Sequence, residues 1–158
     1  VIPASVSIVV ACGTVVWTVR SNRLLEKKKT LIVKKEELYG ALISFNKSIV
    51  LYLTSIKNSS DRTLEKFEKA DVLRDESFGK IEIICNMYFP EINLASFKEH
   101  AIFFEVKFVS KIRPTSKYTK DSPLYKETYF HDAADNAYTN LFLAINVVKS
   151  EVKKIEIF

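Results

Sequence analysis

His131, Asp132, Asp135, His100 and Cys85 are the residues whose types and spacing come nearest to a reactive or metal-binding set in this chain. His131 and Asp135 are four apart, so on a helix they share a face and sketch a weak single-metal or acid/base site. A carboxylate-bridged di-iron bundle needs a Glu three residues before a His on two helices, and neither His has one. Cys85 falls at an apolar position of a helical pattern with no His placed to activate it, which reads as a small core filler. His131 reads better as a polar layer in a helix seam that fixes register against Asp71 or Arg74. The sequence therefore predicts no catalytic, metal or cofactor site, and no enzyme.

A second candidate is the stretch KIRPTSKYTK, which carries Lys111, Arg113, Lys117 and Lys120 around Tyr118 with no acid before Asp121. Cations interleaved with an aromatic ring suit a phosphate backbone or an acidic protein. Four charges on a loop are more simply explained by solvation, since no recognised nucleic-acid-binding fold surrounds them.

These residues need elements to position them, and the first element is the most informative. Residues 1–19 contain no Asp, Glu, Lys, Arg or His, and as a helix they rise ~1.5 Å each to about 28 Å, near a bilayer's hydrocarbon thickness. Trp17 suits the interface, and Arg20, Arg23, Lys27, Lys28 and Lys29 follow as a positive-inside flank. The predicted topology puts the N-terminus outside and the rest of the chain in the cytoplasm. Ser7, Ala11 and Thr14 supply small residues that permit close helix approach. A buried strand is disfavoured by length, a signal peptide by the missing basic leader, and lipoprotein processing by the apolar residues that continue past Cys12. A buried helix in a water-exposed domain remains an alternative, because Ser5, Ser7, Thr14 and Thr18 temper the run.

The remainder, residues 20–158, reads as one helical domain. Among 158 residues there are only 3 Gly and 4 Pro, which argues against phosphate-cradling loops. Two Cys imply no disulfide framework, and the net charge of +5 owes much to the cluster beside the apolar run. Leu24, Leu31, Leu38, Phe45 and Tyr52 recur every seven residues, with Leu42, Ile49 and Ile56 four further on and Lys28 and Lys35 in their place nearer the N-terminus. That is one long helix, stopped by the caps in Lys57, Asn58, Ser59, Ser60 and Asp61.

A second helix is expected over residues 62–88 with Leu64, Phe67, Phe78, Ile81, Cys85 and Tyr88 inward. Asp71, Arg74 and Asp75 interrupt that face and suggest a kink near Asp75, and Pro90 ends the helix. A third covers residues 94–112, with Phe97, Ala101, Phe104 and Phe108 inward and Ile102, Phe103, Val106 and Val109 widening the stripe. A fourth runs from about residue 123 to the end along Leu124, His131, Tyr138, Ile145 and Val152, with Ala134, Leu141, Val148 and Ile155 between. The fold expected is all-α, an N-terminal transmembrane helix followed by an antiparallel four-helix bundle with a long first helix. Residues 87–90 and 155–158 should lie at the membrane-proximal end and residues 111–121 at the distal end.

An apolar span followed by RSNRLLEKKKTLIVKKEELYGALISF, with a later helix ending in NMYFPEI, resembles small bacterial single-span membrane proteins with a cytoplasmic helical domain. Some of these look like membrane effectors of anti-phage systems, retron-associated ones included. The resemblance implies an effector held by a protein or ribonucleoprotein partner until infection releases it, with oligomerisation of the span as the damaging step. It transfers no catalytic residue. The competing expectation is a membrane-tethered sensory or structural scaffold whose long first helix transmits a signal.

Overall fold

In the computed structural model the described residues are 4–58, 63–113 and 128–157, with side chains described from residue 15 onward except at 16 and 128. They form four helices and no strand. Helix α1, Ala4–Lys57, is a single uninterrupted helix of 54 residues. Helix α2 spans Leu64–Tyr88. Helix α3 runs Ala95–Phe104, passes through a π-helical turn at Glu105–Val109 and ends with Ser110–Ile112. Helix α4 is Thr128–Lys154.

Local chemistry sets the boundaries. Thr63 caps α2, its hydroxyl accepting from the Lys66 amide at 3.3 Å, and Glu65 adds an acid in the first turn. The Phe89 amide donates to the Cys85 carbonyl at 3.0 Å as the last helical bond before Pro90. The Asn93 side chain accepts from the Ala95 amide at 2.9 Å where α3 begins.

Cross-helix pairs fix the topology. Lys34 stands over the Tyr88 ring, Phe45 meets Phe78, and Tyr52 meets Phe67, so α1 and α2 are antiparallel. Lys98 pairs with Glu82 at 2.5 Å and Arg113 with Asp71, which sets α3 antiparallel to α2. Lys35 donates to the Ile155 carbonyl at 2.9 Å and Lys57 pairs with Asp135 at 2.8 Å, so α4 runs antiparallel to α1. The bundle is thus up-down-up-down, with residues 87–90 and 155–157 at the end where α1 enters and Lys111 to Arg113 at the far end.

The core follows the seven-residue seam from Leu38 onward. Leu38, Leu42, Phe45, Ile49, Tyr52 and Ile56 are all buried, and Phe45, Phe78 and Phe97 join α1, α2 and α3 with centroids 4.9–5.9 Å apart. Phe108 against Phe130 ties α3 to α4 at 5.4 Å. Buried Ser48, Ser55 and Ser77 satisfy their hydroxyls on carbonyls of their own helices, those of Phe45, Leu51 and Leu73.

Three expectations are corrected. There is no break near Asp75: α2 is continuous, because the polar residues that interrupt its apolar face are met by charges on α3. Leu64 is exposed, since it lies in the first turn of α2, beyond the last packed layer at Phe67. Ile102, Phe103 and Val106 are exposed while Val109 is buried. The apolar stripe of α3 is wider than the surface that α1 and α4 offer it. Leu124 and residues 114–127 lie outside the described residues, so the start of the fourth helix is observed from Thr128.

Candidate functional site

The segment of α1 before Leu31 meets little of the bundle. Arg20, Arg23, Lys27, Lys28 and Lys29 are exposed, and so are Trp17, Leu24, Leu25, Ile32 and Val33. The helix angle of ~100° per residue places Arg20, Arg23 and Lys27 on one side and Leu25, Ile32 and Val33 on another. On the basic side a cleft of about 820 Å³ opens between α1 and the end of α2, lined by Arg20, Arg23, Leu24, Lys27, Leu31, Met87 and Tyr88, with Glu26 its one acid. Among the described residues no helix is long and apolar enough to cross a membrane. The side chains of Ser7, Ala11 and Thr14, and most of the apolar run, lie outside the described set.

Lys34 and Lys35 mark where the bundle begins. The Lys34 ammonium bonds Glu37 at 2.9 Å and lies 5.7 Å from the Tyr88 ring centroid. The Lys35 ammonium binds the carbonyls of Lys153 and Ile155, capping the C-terminal end of α4 where its dipole is negative.

At the distal end Arg113 is committed to the fold. Its guanidinium donates to both oxygens of Asp71 at 2.8 and 2.7 Å, a fork-to-fork pair, and the Tyr52 hydroxyl donates to the same carboxylate. Burial pushes the Asp71 carboxyl up, but the bonds from Arg113 and Tyr52 outweigh it and hold it below the usual carboxylate range. Burial and the Asp71 bond push the Tyr52 phenol well above its ordinary value. Arg74 completes the cluster, 2.6 Å from Glu105 and 2.9 Å from Asp75.

Glu105 opens the π turn of α3, and an apolar cavity of about 260 Å³ lies beside it among Phe45, Ile49, Phe78, Ala101 and Val109. Of the four basic residues expected to meet a partner, Arg113 is occupied, Lys111 is half-buried, and Lys117 and Lys120 lie outside the described residues.

Sequence reasoning missed this Tyr52–Asp71–Arg113–Arg74–Glu105 cluster as a unit. Its signal is present in the misplaced charges of α2, but Arg113, just past the end of α3, falls in a stretch that reads as a solvated loop.

The reactive candidates are not assembled into a site. Asp135 turns to Lys57, and Asp71 and Arg74 have the partners just given, so His131 is not layered against them. The buried His131 Nε2 has no hydrogen-bond partner among the described residues. Burial raises the Cys85 thiol to about 11, which leaves it protonated and unreactive near neutrality. Among the described residues no group of three or more His, Cys, Asp or Glu is placed to hold a metal. Comparison with known proteins matches no protein family, no curated protein and no solved structure.

Proposed function

We propose that the chain is a membrane-anchored helical interaction protein of the bacterial inner membrane, an anti-phage defence effector whose bundle is restrained by a protein or ribonucleoprotein partner. The observation that carries this reading is the continuity of α1. One helix leads from the apolar run through an exposed basic collar into the packed bundle, which is how a tether and its cargo would be joined. Residues 1–19 supply the span by length and apolarity, and residues 20–29 its cytoplasmic flank. Exposed Ile102, Phe103 and Val106 on α3, and Leu143 and Val147 on α4, offer a restraining partner apolar surface.

Induced expression of the full chain, with fractionation and a membrane-potential dye read together, tests this. The full chain is expected to pellet with membranes and depolarise cells. The V9R/V10E variant should lose both, at a cost of about 3 kcal/mol per charge near the centre of a span. A full chain found in the supernatant would overturn the anchor.

Pelleting without depolarisation would favour the scaffold reading, which the same continuity of α1 supports. A signal carried along α1 should be uncoupled by one residue inserted after Lys29, since the insertion rotates the span by ~100° against the bundle.

A further inference from the structure

We propose that the cleft where α1 leaves the bundle holds the headgroup of an anionic glycerophospholipid, with Arg20, Arg23 and Lys27 on its phosphate. The proposal rests on the membrane-anchor reading and adds a site and a lipid class to it. The three cations lie at i, i+3 and i+7 on the side of α1 that faces the end of α2, with a single acid, Glu26, among the cleft's lining residues.

Counted from the end of the apolar run, Arg20 to Lys27 rises about 10 Å, and a headgroup layer is roughly 5–8 Å deep, so Lys27 reaches back into it along its own stem. The cleft is not purely ionic. Leu24 forms part of its wall, and Met87, which is 68% exposed, lines its bundle end with Tyr88. A free phosphate would leave Leu24 in water, whereas the glycerol of a lipid covers it. The Lys34 ammonium lies over the Tyr88 ring, which joins the bundle end of the cleft to the packed fold.

The test uses the full chain reconstituted into vesicles of phosphatidylcholine alone or mixed equally with phosphatidylglycerol. Trp17 is the only tryptophan, so its quenching by brominated lipid reports the anchor independently of the cleft. Native mass spectrometry after mild detergent extraction reports the lipid retained.

Phosphatidylglycerol is expected to stay bound in preference to phosphatidylcholine. Retention should fall about tenfold or more in R23Q/K27Q. It should be unchanged in K47Q/K69Q, which removes the same charge from exposed sites farther up the bundle. Trp17 quenching should be equal in all three proteins.

Equal retention of both lipids, or equal loss in both double variants, would overturn the cleft while quenching of Trp17 upheld the anchor. Displacement of the bound lipid by inorganic phosphate would make the cleft a phosphate site and overturn the lipid. Unquenched Trp17 in every vesicle would overturn the anchor itself.

Discussion

Leu24 and Phe45 stand on the same seam of α1, three heptads apart, yet Leu24 is 54% exposed and Phe45 1%. Nothing in their spacing separates them. The difference comes from what is opposite: α2 ends at Tyr88, level with Lys34, and α4 ends at Lys154, level with Lys35, so no described helix packs over Leu24. A heptad says which face of a helix can be buried, and the lengths of the other helices decide how much of it is.

The strongest way to break this comparison is to truncate the two residues in parallel. Phe45→Ala removes a ring packed on Phe78 and Phe97 and is expected to cost about 3–5 kcal/mol in urea unfolding. Leu24→Ala should stay within about 0.5 kcal/mol, as for other exposed positions. A cost at Leu24 close to that at Phe45 would mean that the seam before Leu31 is packed against something besides this bundle.

The polar cluster sharpens the comparison on the buried side, because there the seam of α2 is broken and the helix is not. Asp71 is held below the usual carboxylate range, so its contribution is fully present above the unfolded value of ~3.9 and is lost as pH falls through the lower folded value. Asp71→Asn is expected to cost about 1–2 kcal/mol at neutral pH, since Asp71 and Arg113 both keep some solvent access. The gap between variant and wild type should close as the pH drops below about 4. A gap that persists in acid would assign the cost to shape rather than to the ion pair.

The same cluster shows where the sequence stops being legible. The inward positions of α1 from Leu38 to Ile56, the limits of α3, the stop at Pro90 and the up-down order were all readable, because each rests on local periodicity or a local cap. The Asp71–Arg113 pair joins residues 42 apart, and only the folded arrangement brings them together. Asp71 and Arg74 announced a fault in the apolar face, but a kink and a cross-helix ion pair leave the same local trace. For the candidate site, the basic run at residues 20–29 was plain in the sequence. The cleft that Met87 and Tyr88 close at its bundle end was not, since it depends on where α2 ends against α1.

His131 gives the smallest effect and the finest division between the packed and unpacked readings of a seam. A register-fixing layer requires a partner, and the charges of α2 that would serve are bound to α3 and α1 instead. What remains is a half-buried ring with a buried Nε2 that makes no hydrogen bond to any described residue, an arrangement that costs free energy instead of supplying it. His131→Leu keeps similar volume and removes the stranded polar atom, so stability is expected to rise by up to about 1 kcal/mol, or roughly 2–4 °C in Tm for a chain of this size. The layer reading expects the opposite sign. A fall in Tm on His131→Leu, with a change in oligomeric state, would show that His131 meets its partner in another copy of the chain, and the α4 seam would then be only half satisfied within one bundle.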